Sequence, residues 1–151
     1  MSRLDSDYSD ARRSPGLMLW RVTNAWQRSI RSALAPFDLT HVQFVLLAAL
    51  AHADPEEPMT QRELADAAST DPMMTSQVVR ALERNGLIVR GAHPQDRRAV
   101  TVAPTPAGLA IVNRAVLAVE AADRATFAAL GSEQDDFTRM LGILEGNRES
   151  E

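Results

Sequence analysis

Residues His93 to Val102 read HPQDRRAVTV and set two adjacent arginines, Arg97 and Arg98, at the tip of a segment flanked by β-prone runs. Upstream, DPMMTSQVVRALERNG repeats Thr75, Val78, Val79 and Leu82 at spacings of three and four, an apolar helix face that leaves Ser76, Gln77 and Arg80 pointing outward. A hydroxyl, an amide and a guanidinium in the first half of a helix can donate and accept at base edges, Gln to adenine and Arg to guanine. Met73, at the start of the same helix, can touch a thymine methyl. Arg90 and Arg97 suit phosphate oxygens, which add affinity without sequence information. His93 and Pro94 are expected to shape the loop. This is the chemistry of holding a polyanion and reading it.

The charge distribution fits that chemistry better than the net charge does. The chain has 16 basic residues, all arginine, against 20 acids, for a formal net charge of -4. Residues 73–119 nevertheless hold six arginines and two acids, between the acidic blocks 36–72 and 120–151. A positive block between negative ones attracts a polyanion locally and orients its encounter.

Residues 1–13 are polar and aperiodic and are expected to form a disordered N-terminal tail. One domain then spans 14–151. Ser14 and Pro15 start a helix with Leu19, Val22, Trp26, Ile30 and Ala33 on one stripe, ending near Pro36. Thr40 and Gln43 form a capping box for a helix that is apolar on every side and should be central. Thr60 and Glu63 form a second box for a short helix. Asp71 and Pro72 open the next, which closes at Asn85-Gly86. Two short helices about three residues apart have helix-turn-helix spacing. Leu87 to Arg90 and Ala99 to Ala103 pair as a hairpin around GAHPQDRR, and a helix-turn-helix followed by a hairpin is a winged helix. Thr105-Pro106 starts a long helix with Leu109, Val112, Val116, Val119, Thr126 and Leu130 on one stripe. Ser132 and Asp135 cap a last one bearing Phe137, Met140, Leu141 and Leu144. The fold class is mainly α with a small β-hairpin wing. A winged-helix lobe at 38–104 lies between long terminal helices at 14–36 and 105–146.

At ALERNGLIVRGAHPQDRRAVTVAPTPAG the sequence resembles the MarR family of winged-helix transcriptional regulators. It has a Leu-Glu-x-x-Gly-Leu helix exit, a D-x-R at the wing tip and a Thr-Pro-x-Gly helix start. The resemblance spans roughly Ser14 to Gly146 and is most specific from Leu82 to Gly108. It implies a homodimer built by the terminal helices on a pseudo-palindromic double-stranded DNA operator. It also implies that Arg98 enters the minor groove, where a guanidinium sheds water readily, and that Asp96 holds the wing or that arginine in shape. Repression relieved by a small aromatic or phenolic effector follows from the same resemblance. The cleft between dimer helices and winged helix is the expected place, with Trp20, Asn24 and His41 offering a stacking face and hydrogen bonds.

Other function classes find little support. The chain has no Cys and no Lys, so thiol redox chemistry, thiolate metal sites, a P-loop and a lysine Schiff base are excluded, and neither G-x-S-x-G nor H-E-x-x-H occurs. No enzyme, cofactor or metal site within one chain is expected. His41 and His52 share a helix face but stand about 16 Å apart at helical rise, so they could share a metal only across subunits. With no apolar run of membrane length and no apolar leader, a cytoplasmic protein is expected. The alternative is a winged-helix module that contacts protein through its acidic surface and binds no DNA.

Overall fold

The computed structural model describes residues 3–146. The helices are α1 (Pro15–Leu34), α2 (His41–His52), α3 (Gln61–Ala68), α4 (Pro72–Arg84), α5 (Pro106–Phe127) and α6 (Gln134–Gly146). The strands are β1 (Met59–Thr60), β2 (Ile88–Ala92) and β3 (Val100–Pro104). Within the segment expected to be a disordered tail, Asp10 caps one 3-10 turn over Ala11–Arg13 that leads into α1.

Local chemistry sets most boundaries where the sequence placed them. The side chains of Ser14, Thr40, Thr60, Asp71 and Thr105 each accept from a backbone N–H in the first turn of the helix that follows. Both capping boxes close, with Gln43 and Glu63 accepting from the cap residue's own N–H. At the exit of α4, Gly86 has φ 72°, Leu87 N donates to Leu82 O at 2.9 Å and Gly86 N to Glu83 O at 3.0 Å. That pair of bonds is the Schellman termination, which needs a residue tolerant of left-handed backbone. The last helix starts later than Ser132 implied: a 3-10 stretch, broken by Gly131 at φ 54°, runs to Glu133.

The sheet is antiparallel in the order β1-β3-β2. Strand β3 pairs with β2 over Ile88↔Pro104 to Ala92↔Val100 and with β1 at Met59↔Val102 and Thr60↔Thr101. The hairpin is the expected wing. Strand β1 is an addition to it that no sequence pattern announces.

A single core joins the terminal helices to the winged helix. Phe44, Leu46, Leu47 and Leu50 of α2 are buried at its centre, against Ile30 and Leu34 of α1, Leu64 of α3, Val79 and Leu82 of α4, and Val112, Ala115 and Val119 of α5. The lobe at 38–104 therefore shares its core with 14–36 and 105–146. The outer parts of the predicted stripes are uncovered: Leu19 is 53% exposed, Val22 44%, Met140 51% and Leu144 59%. Among the described residues no single helix is long and apolar enough to cross a membrane.

Candidate nucleic-acid interface

Helices α3 and α4 are joined by Ser69, Thr70 and Asp71. Ser69 takes the left-handed conformation at φ 51°, its N–H donating back to Ala65 and Asp66 carbonyls, which turns the chain sharply out of α3. Thr75, fully buried, fixes α4 against this turn. Its hydroxyl lies 2.8 Å from the Asp71 carbonyl, to which it donates, and 2.6 Å from the Thr70 hydroxyl. With Thr75, Val79 and Leu82 inward, Met73, Gln77 and Arg80 are exposed on the opposite face, and Met73 is 75% exposed. Ser76 is half-buried at the edge of that face. Arg84 continues the same stripe one turn beyond Arg80 and is exposed, as is Arg62 in the first turn of α3. Neither was singled out in the sequence, although helical spacing carried the signal for Arg84.

The wing is held at both ends. At its tip the Asp96 carboxylate accepts from Arg98 N at 3.0 Å, Ala99 N donates to Asp96 O at 3.2 Å, and His93 Nδ1 accepts from Gln95 N at 3.1 Å. Asp96 and His93 thus shape the loop, and Arg97 and Arg98 are left exposed. At its base Thr105 donates through its hydroxyl to Gly86 O at 2.6 Å and through its N–H to Leu87 O at 3.0 Å. The helix start is thereby tied to the exit of α4. A Cβ on Gly108 would collide with the Leu87 carbonyl oxygen, so the Thr-Pro-x-Gly pattern has a steric reason.

Arg90 is differently placed from the free phosphate ligand the sequence implied. It is exposed on the same side of β2 as Ile88 and forms a two-pronged ion pair with Glu83 of α4. The guanidinium hydrogen bonds hold the Glu83 carboxylate below its ordinary range, and the carboxylate raises Arg90 in turn. Among the described residues, Arg80, Arg84, Arg97 and Arg98 form no ion pair. The α4 stripe and the wing tip are therefore a surface of uncommitted guanidinium groups.

The MarR family model matches residues 39–100, which contain α2, α3, α4 and the wing tip. The HTH-type transcriptional regulator YdcH of Bacillus subtilis (strain 168) is 42% identical over 144 residues, covering 93% of this chain and 96% of its own. The chain belongs to the MarR family. MarR-family members are transcription regulators rather than enzymes, and this chain is one of them. CouR from Rhodococcus jostii RHA1, solved bound to p-coumaroyl-CoA, superposes with TM-score 0.79 at 27% identity, covering 91% of this chain and 94% of that one. Rv2887 of Mycobacterium tuberculosis, solved in complex with DNA, superposes with TM-score 0.65 at 32% identity, covering 87% and 97%. That protein is an HTH-type transcriptional repressor.

Of the three residues expected to line a MarR effector pocket, Trp20 and Asn24 lie on α1 and His41 at the start of α2. Trp20 is 68% exposed. Asn24 donates to Trp20 O at 2.7 Å along its own helix. His41 meets Trp26 edge to face at 5.2 Å, and Trp26 Nε1 donates to Asp123 Oδ1 at 2.8 Å. Burial lowers the His41 pKa, opposed by the Asp123 charge. A cleft of about 980 Å³ opens where Leu19 of α1 and Leu144 and Glu145 of α6 face Asp66, Thr70 and Asp71 around the helix-turn-helix.

Proposed function

We propose that the chain works as a homodimer that binds a pseudo-palindromic duplex and represses transcription until a small molecule loosens its hold. The observation that carries this reading is the exposed stripe Met73–Gln77–Arg80 on α4 beside a wing tip that frees Arg97 and Arg98. Helix α4 enters the major groove, with Gln77, Arg80 and Ser76 at base edges and Met73 against thymine methyls. Arg98 enters the adjacent minor groove, while Arg97 and Arg84 reach phosphates. Asp96 and Arg90 hold the wing in the shape this requires.

The uncovered apolar residues of α1 and α6 that lie outside the cleft around the helix-turn-helix, Val22, Met140 and Ile143 among them, form the face for the second copy. A twofold dimer repeats α4 about one helical turn along the duplex, so the site is pseudo-palindromic. Rv2887 and CouR, one solved on DNA and the other on a hydroxycinnamoyl thioester, support the DNA and effector halves of the reading respectively. The effector's place is the cleft that joins the terminal helices to the cap of α4, in preference to Trp20, Asn24 and His41. Its carboxylates at Asp66, Asp71 and Glu145 favour a phenol that donates its O–H over a free aromatic acid. Effector binding acts by shifting the population away from the DNA-competent half-site spacing.

The test is fluorescence anisotropy with a duplex from upstream of the chain's own coding region and with a random duplex, at several salt concentrations. Binding about 1000-fold tighter to the first, with a log–log salt slope near about −5 from roughly six phosphate contacts, is the expected result. No duplex affinity at low salt would favour a protein-binding winged helix instead.

A further inference from the structure

The chain has no cysteine, so its oxidisable sulfur lies in six methionines. Those among the described residues differ in access. Met18 and Met59 are half-buried, and Met59 packs against the core. Met73 is 75% exposed, Met74 39% and Met140 51%. Two of the three most accessible thioethers are thus neighbours in the first turn of α4. Met74 N–H is held by the Asp71 cap at 2.9 Å, so both are fixed at the end of the helix that carries Gln77 and Arg80.

We infer that the Met73–Met74 pair is an oxidation site through which electrophilic two-electron oxidants such as hypochlorous acid release the protein from DNA. In the step, an S–O bond forms and the O–Cl bond breaks. The thioether sulfur loses two electrons, chlorine gains them, and chloride and a proton leave. The product sulfoxide is polar and chiral where the thioether was apolar. On Met73 it presents an acceptor oxygen to a groove rich in acceptors and phosphate, an unfavourable contact at the face meant to approach the duplex. Because sulfoxides are reduced enzymatically, the modification is reversible. The inference rests on the DNA-reading role of α4, and its test separates the two.

A duplex is first selected from a random-sequence pool by the untreated protein, and its affinity is measured before and after treatment with limiting hypochlorous acid. The oxygen is located by mass spectrometry of the tryptic fragment 63–80, which carries both residues. The expected result is affinity loss of about tenfold or more, the order of one mismatched base pair. That loss should track oxygen on this fragment and be restored by methionine sulfoxide reductase. Met140→Leu keeps the sensitivity. In Met73→Leu/Met74→Leu, each sample compared with its own untreated form, it disappears. Unchanged affinity despite full oxidation of the fragment, or an equal loss in the double variant, overturns the oxidation site and leaves the DNA reading standing. If the untreated protein selects no duplex, the DNA reading falls and the inference with it.

Discussion

Glu83 and Arg90 face each other across the junction of α4 and β2, Nε to Oε2 at 3.1 Å and Nη2 to Oε1 at 3.0 Å. Parallel N–H donors on both carboxylate oxygens fix distance and orientation together, so the pair is a brace between the reading helix and the wing. Its charge is largely neutralised locally. We expect Arg90→Ala to weaken duplex binding with little change in salt slope, because a loosened wing costs affinity but no released counterion. Arg97→Ala should reduce the slope by about 1.8, because the variant dimer loses one phosphate contact in each subunit. Salt titrations of the two variants separate these effects, and an equal reduction in Arg90→Ala would mean that it grips phosphate. The brace also has a pH sense. Glu83 is lowered from 4.5, so its contribution is complete above that value and is lost as pH falls through the lower folded value.

Asp96 brings a negative charge to the face proposed to approach DNA, where it is repelled. Its carboxylate has a compensating role in accepting from Arg98 N, a bond that an asparagine oxygen can also accept. Asp96→Asn should therefore bind duplex at least as tightly as the wild type, while Asp96→Ala binds less tightly. If Asn and Ala weaken binding equally, the charge rather than the turn is what matters.

Gly108 packs its backbone against Leu87 O, the carbonyl that accepts Thr105 N. Gly108→Ala pushes a methyl into that backbone oxygen, with Leu47 directly behind it. Overpacking of this kind costs about 1–3 kcal/mol, readable as a lowered denaturation midpoint with unchanged m-value. Gly142→Ala, with open space around its Cβ, is the matched control and should be neutral or stabilising.

Much of this architecture is legible in the residues because it is local. Thr40 with Gln43, Thr60 with Glu63, and Asn85-Gly86 mark helix ends through bonds made within a few positions. The stripe through Thr75, Val79 and Leu82 determines which side of α4 faces out, and hence Gln77 and Arg80. What escaped is what depends on distant pairing. Strand β1 has two residues and exists only through its register with β3, too short for any alternation to show. The stripe of α1 announces an apolar face, yet Leu19 and Val22 remain uncovered within the chain, since periodicity does not say what covers a face. Arg90 looked free for phosphate because its partner lies on another element. His41 was grouped with Trp20 and Asn24 by the expected place of an effector cleft, and its contacts with Trp26 and Asp123, themselves bonded across 97 positions, had no sequence signal.

That His41 cluster yields a pH dependence whose sign can be worked out. Burial against the Trp26 edge lowers His41 from 6.5, and the Asp123 carboxylate only partly restores it. The folded state thus binds its proton less readily than the unfolded state does, so in the window below 6.5 the unfolded chain carries more protons and stability rises with pH. The neutral-imidazole contribution is complete above 6.5 and is lost as pH falls through the lower folded value. Because α1, α2 and α5 meet at this cluster, acid should loosen the packing of the terminal helices on the winged helix. We expect the wild-type melting temperature to fall more steeply between about pH 7 and pH 5, the range in which histidine titrates, than that of His41→Gln, which cannot gain the charge. Parallel profiles for the two proteins would assign the acid sensitivity to carboxylates instead. An Asp123→Asn variant sharpens the test: without the carboxylate that favours imidazolium, the His41 pKa drops further and the acid penalty deepens.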